Sequence, residues 1–362
     1  MDHPLTTTIA VDTIQSFIAD IFRAAGCTQE EAGRIAMHLL SANLAGHDSH
    51  GVIRVPRYVQ WLQEGGVHAG RSISIVTETP THALVDGNRG FGQTIGEQAV
   101  DLGIAKAKQA GIAVIALRNT GHLGRIGDWA ERAAAAGLVS IHFVNVASSE
   151  LVAPFGGTQK RFGTNPVCIG VPMDDEPMLL LDFATSLVAE GKVLVASNGG
   201  KKLPEGALIG PDGKLSTDPQ TLYGPIGPGD IRDGRKGPGA MRTFGDHKGS
   251  GLAFMCEILA GCFTGGGTAR DKLSGGGIAN GMLSIYIDPT SFGAAHFAQT
   301  ARDFADHVKA THPADPNGEV LVPGEPEARN KAHRLAEGIP LQADTWAAIV
   351  ATGRRLGLTP PV

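Results

Sequence analysis

Short apolar segments alternate with alanine-rich segments of helical period through the middle of the chain, and this alternation restricts the fold to the α/β class. Strands are predicted at 83–85, 112–117, 139–144, 167–171, 178–183 and 283–287, and helices at 94–109 and 128–136 separate the first three. Strands that are separated by single helices assemble into a sheet with the helices packed on its faces. We therefore expect one α/β lobe over residues 79–295.

Both ends of the chain have helical period instead. The apolar residues Ile14, Phe17, Ile18, Ile21 and Phe22 lie on one face of a first helix. Thr28 and Glu31 have the spacing of a capping box that begins a second helix. A third helix is predicted to include 58–63, with Pro56 in its first turn or at a kink. Helices are predicted again at 251–262, 300–310, 327–337 and 345–355. We expect residues 1–78 and 296–362 to form one helical lobe.

Glycine is unusually frequent, with 50 residues among 362, about twice the average share of roughly 7%. The excess indicates many tight turns and close backbone approaches. It is concentrated at 199–240, where 17 of 42 residues are Gly or Pro. A segment of this composition cannot be one helix and is too long for a simple connection, so we expect a long excursion over the surface.

Charge and cysteine content exclude several classes of protein. The formal net charge is −5, which gives no electrostatic footprint for nucleic acid or a membrane surface. No apolar run reaches the roughly 18 residues of a membrane span, and the first ten residues lack the pattern of a secretory signal. The four cysteines form no CxxC pair. We therefore expect a reduced, cytoplasmic protein.

Polar chemistry is concentrated between the second and third predicted helices. If this segment is helical, His50, Arg54 and Tyr58 lie on one face. An arginine fork can bind the carboxylate of a 2-oxo or 2-hydroxy acid while an imidazole exchanges a proton with the oxygen at C2. A solvated turn with ordinary ion pairs is the alternative. A metal site at His47, Asp48 and His50 is disfavoured because no further ligand cluster is apparent.

Other polar loops follow predicted strands. His122 lies in a glycine-rich loop after the strand at 112–117, where ligands bind in α/β proteins, although it could equally bond to backbone. Asp182 could bond ribose hydroxyls, and Thr185 and Ser186 could bond phosphate, although such residues also cap helices and turns. Lys248 precedes an apolar helix whose free N–H groups would form an anion site, although the segment could also be a purely structural helix start.

The run Gly-Phe-Gly-Gln-Thr-Ile-Gly at 90–96 looks like a dinucleotide fingerprint, because it follows a possible strand and begins a helix. In that interpretation Arg118 could meet a 2′-phosphate at the end of the next strand. The strand is short, however, and four residues separate it from the first glycine. We interpret the run as a structural turn.

Seven sequence blocks, in order, resemble the malate/L-lactate dehydrogenase family, which is unrelated to the Rossmann-type dehydrogenases and includes ureidoglycolate and sulfolactate dehydrogenases. They are Ser-His-Gly-Val at 49–52 with Arg54 and Tyr58, Gly-His at 121–122 with Gly124, Phe-Gly-Thr-Asn-Pro at 162–166, Asp-Phe-Ala-Thr-Ser at 182–186, Leu-Pro-Glu-Gly at 203–206, His-Lys-Gly-Ser-Gly at 247–251 and Pro-Gly-Glu at 323–325. Two positions depart from the family: Asp48 replaces a common Thr, and Val146 replaces a common Ser.

The resemblance implies a non-Rossmann NAD(P)-binding fold with a large mixed sheet, and a homodimer with active sites near the subunit interface. It implies that NAD or NADP binds to the α/β lobe and that the helical lobe serves substrate binding and dimerisation. Catalytic roles are implied for His50, His122 and Arg54, and substrate contacts for Ser49, Tyr58 and Thr164. Cofactor contacts are implied for Asn145, Asp182, Phe183, Ala184, Thr185, Ser186, His247, Lys248, Gly249, Gly324 and Glu325.

Three functions follow as hypotheses. The first is interconversion of a 2-hydroxy acid and a 2-oxo acid by hydride transfer, with histidine as the proton donor or acceptor. We favour His50 over His122 as that histidine, because Arg54 beside it would anchor the carboxylate and so fix the distance to C2. The second is NAD(P)H-dependent reduction of cyclic or N-substituted 2-imino acids. The third is a non-catalytic protein that binds a small molecule.

Overall fold

The computed structural model describes residues 6–174, 178–197, 202–225, 232–273, 277–294 and 296–361. The α-helices are α1 (Val11–Ala24), α2 (Gln29–Leu44), α3 (Val55–Gln63), α4 (Gly92–Ala110), α5 (Gly127–Ala135), α6 (Glu190–Ser197), α7 (Gln220–Tyr223), α8 (His247–Cys256), α9 (Phe297–Lys309), α10 (Glu325–Glu337) and α11 (Ala343–Arg355). The strands are β1 (Thr6–Ile9), β2 (Ser74–Glu78), β3 (His82–Asp86), β4 (Ile112–Thr120), β5 (Val139–Ala147), β6 (Pro166–Val171), β7 (Leu179–Ala184), β8 (Leu208–Ile209), β9 (Leu215–Ser216), β10 (Ala240–Met241), β11 (Ala279–Ile287) and β12 (Ile339–Gln342).

A seven-stranded sheet forms the centre of the molecule, with strand order β2-β3-β4-β11-β5-β6-β7. Only β3 and β4 pair in parallel, and all other neighbours are antiparallel. This arrangement confirms the expected α/β class and the large mixed sheet. Helices α4 and α5 cover a core in which Trp129 and Tyr286 are fully buried.

The terminal segments share a second core. The predicted face of α1 is buried, and it packs with α2, α3 and with Ile339, Leu341 and Ile349 from the C-terminal part. Strand β1 pairs with β12, which joins the two ends directly. The helical period at 300–310 does produce α9, but no residue of α9 is buried, so α9 contributes nothing to this core.

Only half of the predicted capping box forms. The Thr28 side chain accepts a hydrogen bond from the Glu31 backbone N–H at 3.2 Å, so Thr28 is the N-cap of α2. The Glu31 carboxylate does not return to Thr28 and instead accepts from the backbone N–H of Gly70 at 2.9 Å. A tertiary contact has replaced the local one.

The Gly/Pro-rich segment corrects our expectation of an excursion over the surface. Its described parts, 202–225 and 232–240, form α7 and a small sheet of order β10-β8-β9. Leu208 and Leu222 are fully buried in a third core that also includes Met241 and Ala253. The glycines permit this packing, since a Cβ on Gly237 would lie 2.1 Å from a backbone oxygen. Residues 198–201 and 226–231 lie outside the described residues.

The glycines at 90–96 have a packing role. The segment does join two parallel strands, β3 and β4, through α4. A Cβ on Gly92 would lie 2.2 Å from the His122 carbonyl oxygen, and one on Gly96 would lie 2.5 Å from the Trp129 ring. Arg118 is paired with Asp86 at 2.9 Å. The run therefore lets α4 approach the His122 loop and α5 closely.

Candidate active site

A cavity of 1020 Å³ lies where the helical segments meet one edge region of the central sheet. The segment after α2, the loop after β4 and the N-terminal turn of α6 line it, together with residues at the ends of β5, β6 and β7. Ligand pockets of drug-sized molecules typically occupy about 300–1,000 Å³. The cavity is therefore large enough for a small acid together with a second, larger ligand.

The segment that carries His50 and Arg54 is built from two short 3₁₀ turns, Asp48–His50 and Val52–Arg54, and α3 begins only at Val55. This corrects the conditional expectation of one continuous helical face. The break occurs at Gly51, because Asn43 of α2 accepts the Val52 backbone N–H at 2.8 Å. A Cβ on Gly51 would lie 2.1 Å from the Asn43 side-chain oxygen, so glycine is required there.

The two candidate histidines meet in the cavity wall. The rings of His50 and His122 are nearly parallel, with 5.5 Å between their centroids and 14° between their planes. The Nδ1 atom of each ring bonds a hydroxyl: Ser49 Oγ lies 2.9 Å from His50 Nδ1, and Tyr58 Oη lies 2.6 Å from His122 Nδ1. Each ring is therefore held by a hydrogen bond at its Nδ1 atom.

Burial keeps both imidazoles neutral. Desolvation is the main cause that lowers the pKa of His122 to about 3, and the positive charge of Arg54 adds to it. Desolvation also lowers the pKa of His50 well below its usual value, and His122 and Arg54 contribute in the same direction. A bound anion would oppose these effects, because an adjacent negative charge favours the protonated ring.

Arg54 projects into the same cavity and is held from two sides. Its Nε donates to the Ser49 backbone oxygen at 2.6 Å, and Glu190 lies opposite, with a carboxylate oxygen 3.8 Å from Nη2. Glu190 in turn accepts from the Tyr223 hydroxyl at 2.8 Å. The distance to Glu190 leaves the outer edge of the guanidinium available for a ligand carboxylate.

The opposite wall carries the polar residues at strand ends. Thr164, Asp182 and Ser186 line the cavity, as do Phe183 and Ala184. Asp182 accepts the Gly127 backbone N–H at 2.7 Å, and burial raises the pKa of its carboxyl group above the usual value. This wall therefore presents hydrogen-bonding groups of the kind that bind a hydroxylated ligand.

Several residues expected at the site do not line the cavity. Tyr58 is buried behind His122, Thr185 donates to the Thr164 carbonyl, and Asn145 contacts Glu257 and Gly267. His247 and Lys248 are exposed at the start of α8. The remaining residues of this set, which serve turns or helix starts, are Gly249, Gly324 and Glu325.

The reasoning from sequence missed several lining or supporting residues, and three of them contact or face the acid-binding groups. Gln93, Arg125 and Glu190 contact the site groups directly or line the cavity. Gln93 lies inside the glycine run at 90–96, whose spacing draws attention to its glycines alone. Arg125 follows the Gly-His block, so proximity in sequence was a usable signal. Glu190 had no local signal, because its partner Arg54 is distant in sequence.

The segment before His50 is tied to the C-terminal part of the chain. Asp48 is paired with Arg334 of α10, with oxygens 2.6 and 3.1 Å from the guanidinium nitrogens. His47 Nε2 lies 3.2 Å from a carboxylate oxygen of Glu327, also on α10. Among the residues that the structure describes, no cluster of three or more His, Cys, Asp or Glu side chains could hold a metal ion.

The chain is similar to known enzymes over nearly its whole length. The family model of malate/L-lactate dehydrogenase matches residues 9–350. Hydroxycarboxylate dehydrogenase B of Escherichia coli is 43% identical over 350 residues, which cover 96% of this chain and 93% of the relative. The sequence blocks around Leu44 and Gly124 also resemble that enzyme.

Two further relatives differ in their named substrates. The structure of sulfolactate dehydrogenase from Methanocaldococcus jannaschii superposes with a TM-score of 0.84 at 32% identity, and covers 98% of each chain. The Δ1-pyrroline-2-carboxylate/Δ1-piperideine-2-carboxylate reductase of Pseudomonas putida is 34% identical over 94% of this chain and 96% of its own length. None of the described helices is long and apolar enough to cross a membrane.

Proposed function

The chain belongs to the malate/L-lactate dehydrogenase family and is a hydroxyacid dehydrogenase, and we propose that it interconverts a 2-hydroxy carboxylic acid and the matching 2-oxo acid by hydride exchange with NAD or NADP. The observation that carries this proposal is the cluster of His50, His122 and Arg54 in one cavity wall. It combines a carboxylate-binding fork with two imidazoles that can exchange a proton.

Arg54 binds the substrate carboxylate in this proposal. Its Nε is already committed to the Ser49 backbone oxygen, which orients the guanidinium plane. The planar fork can then form two parallel hydrogen bonds with a carboxylate, which a lysine cannot. Glu190, at 3.8 Å, keeps the guanidinium paired until the acid binds.

His122 exchanges the proton with the oxygen at C2. Tyr58 anchors its Nδ1 from behind, so the other ring nitrogen is directed to the cavity. The partner of His50 is Ser49, an adjacent hydroxyl that can rotate and therefore imposes less on the ring. This geometry favours His122 over His50, which reverses the preference drawn from the sequence. His50 is left to hold the substrate by a hydrogen bond.

The cavity suits a nicotinamide cofactor in size and in the chemistry of its walls. Its 1020 Å³ exceed the needs of a small acid, and Asp182, Thr164 and Ser186 offer groups that can bond hydroxyl and amide groups. When bound, the cofactor supplies or accepts the hydride at its nicotinamide ring. The chain orients the acid through Arg54 and holds a proton at His122, and the apolar side chains of the wall exclude water.

We extend the proposal to a homodimer. Helix α8 exposes Phe254 and Met255, the following π-helical turn Glu257–Cys262 exposes Ile258, and Phe263 directly after it is exposed too, with relative exposures from 36 to 68%. A run of exposed large apolar residues is typical of a surface that another chain covers. Lys248 begins the same helix, so a subunit contact here would bring neighbouring groups to the cofactor-binding residues.

A second candidate function is reduction of a cyclic 2-imino acid. The Pseudomonas putida relative named for that reaction is similar over nearly the whole chain. A cyclic imino acid has the same carboxylate next to the carbon that receives the hydride, so Arg54 could bind it in the same way. The two substrate classes differ only in the atom, oxygen or nitrogen, that His122 would face.

A substrate panel tests the proposal. Purified protein is assayed with NADH and with NADPH against pyruvate, oxaloacetate, phenylpyruvate and sulfopyruvate, and against Δ1-piperideine-2-carboxylate. We expect turnover of at least one 2-oxo acid. Turnover of the imino acid alone would replace the first function by the second, and no turnover of any compound would reject both.

A further inference from the structure

Tyr58 was expected to contact the substrate, but its hydroxyl is directed away from the cavity. Among the described residues, Tyr58 Oη has two hydrogen-bond partners: His122 Nδ1 at 2.6 Å and Gln93 Nε2 at 3.4 Å. The ring of Tyr58 is 2% exposed. A group buried in this way must satisfy its donor and its acceptor within the protein.

The orientation of the Gln93 amide follows from its second contact. Gln93 Nε2 lies 3.3 Å from the His122 backbone oxygen, which can only accept a hydrogen bond. The nitrogen of the amide, rather than its oxygen, must therefore face His122. Its other hydrogen is directed to Tyr58 Oη, so Gln93 is a donor to Tyr58 and cannot accept from it.

The hydrogen of the Tyr58 hydroxyl then has one acceptor left, which is His122 Nδ1. If Nδ1 carried a proton, two hydrogens would compete for the same contact and the buried Tyr58 O–H would have no acceptor. An unmatched buried donor costs about 1–3 kcal/mol. A neutral imidazole that accepts at Nδ1 must carry its proton at Nε2.

We infer that Tyr58 and Gln93 together determine which nitrogen of His122 carries the proton, and hold the neutral ring with its N–H at Nε2, on the cavity side. Tyr58 is thus a positioning residue that acts through His122. In the reduction, Nε2 gives its proton to the oxygen at C2 as the Tyr58 proton moves to Nδ1, so that the ring stays neutral, and both protons return in the oxidation. His50 has no equivalent, because the Ser49 hydroxyl can either donate to Nδ1 or accept from it. The residue pair explains why the chain places a glutamine inside the glycine run at 90–96.

The inference is tested first without substrate. In protein labelled with ¹⁵N at histidine, long-range ¹H–¹⁵N NMR distinguishes protonated from unprotonated ring nitrogens, and the His122→Asn variant identifies the His122 signals. We expect the wild-type ring to be protonated at Nε2. Tyr58→Phe keeps the aromatic packing and should lose this preference, so that both tautomers are observed.

Gln93→Glu makes the opposite change. A carboxylate at this position accepts from the Tyr58 O–H, which turns the hydroxyl oxygen toward His122 and favours a proton on Nδ1. We therefore expect the His122 tautomer to reverse in this variant. Tyr286→Phe is the matched control, because Tyr286 is an equally buried tyrosine of the central core that packs on His142, away from the cavity.

The kinetic part rests on the proposed function. Tyr58→Phe should lower kcat by at least about ten-fold, because it removes the hydrogen bond to Nδ1 and the proton that moves to Nδ1, with the KM for the acid nearly unchanged. Tyr286→Phe should leave kcat unchanged. A wild-type ring protonated at Nδ1, or the same tautomer in wild type, Tyr58→Phe and Gln93→Glu, would overturn the inference. Absence of turnover would reject the proposed function alone, since the NMR result does not require activity.

Discussion

The two ends of the proposed active site are built differently. We call the cluster of His50, Arg54 and His122 the acid end, and the set of His247, Lys248 and Glu325 the cofactor set. Every member of the acid end lines the cavity and is held there by hydrogen bonds within one chain. The cofactor set lies outside the cavity wall, and His247 and Lys248 are exposed.

The difference shows how much of each end depends on packing within this chain. The acid end draws on α2, α3 and the loop after β4. Helices α2 and α3 pack in a core that includes Phe91 and Tyr58, and Tyr58 bonds His122 of the loop. Lys248 begins a helix whose exposed apolar residues have no cover in the single chain. We therefore expect substitutions at the acid end to have the same effect whether or not two chains associate. The effect of substitutions in the cofactor set should depend on that association.

The largest effect is expected at His122. Since it is the proposed proton donor, His122→Asn should lower kcat by about 10² to 10⁴, the usual contribution of general acid–base catalysis. His50→Asn loses only a substrate hydrogen bond and should lower kcat about 2- to 12-fold. Steady-state kinetics with the best 2-oxo acid separate the two. A larger loss in His50→Asn than in His122→Asn would restore the assignment drawn from the sequence.

Arg54→Lys tests whether the acid end binds independently of the cofactor set. The charge remains but the planar fork is lost, which should cost about 1.5–3 kcal/mol of binding free energy. The KM for the oxo acid should therefore rise roughly 10- to 150-fold. The KM for NAD(P)H is the internal control and should change little. Equal increases in both constants would mean that Arg54 does not bind the carboxylate.

Lys248→Ala makes the reciprocal change. We expect cofactor affinity, measured by NAD(P)H fluorescence titration, to fall by about 1.5 kcal/mol, the lower end of the range for a charge-assisted hydrogen bond, because this side chain is exposed. Lys214→Ala, at an exposed lysine of the small sheet, is the matched control. Unchanged affinity at protein concentrations where the chain is dimeric would remove Lys248 from the cofactor set.

The sequence predicted the parts of this site that depend on local periodicity. The buried face of α1, the Thr28 cap of α2 and the start of α3 near Pro56 follow from residue spacing alone. The family resemblance assigned His50, Arg54 and His122 to one site, and all three line the same cavity. The predictions of local structure succeeded because each rests on neighbouring residues, whereas the roles of the three cavity residues stay predictions.

The failures share a physical cause, which is contact between segments distant in sequence. The break at Gly51 depends on Asn43, and no spacing rule predicts that a side chain of α2 occupies the place of a Cβ there. The third core combines short segments from Val152 to Ala253 that have no period of their own. The partnership of Tyr58 with Gln93 requires α3 and α4 to meet at the His122 loop.

The smallest effect is expected at His38, whose side chain links α2 to α5 and so connects the segments that carry His50 and His122. His38 of α2 bonds Asp128 of α5 at 2.7 Å, and its other ring nitrogen lies 3.7 Å from Glu97. Although burial opposes the charge, the hydrogen bond to Asp128 and the nearby carboxylate of Glu97 raise the pKa of His38 to about 9. Helix α2 leads directly to His50, and α5 follows the loop of His122, so this ion pair fixes one loop relative to the other.

A pKa raised above the unfolded value of about 6.5 gives stability that is complete below pH 6.5 and is lost as the pH rises through 9. The free energy of unfolding, measured by urea titration, should therefore decline between pH 7 and pH 10. His38→Gln should remove about 1 kcal/mol at pH 7 and flatten that decline, since Asp128 keeps its bond to Arg125. His82→Gln, at an exposed histidine, should leave the wild-type pH dependence intact.

The same variant also tests the comparison of the two ends. If His38→Gln raised the KM for the acid but not the KM for the cofactor, the pair of His38 and Asp128 would be what keeps the acid end rigid. Equal increases in both constants would contradict the independence of the two ends.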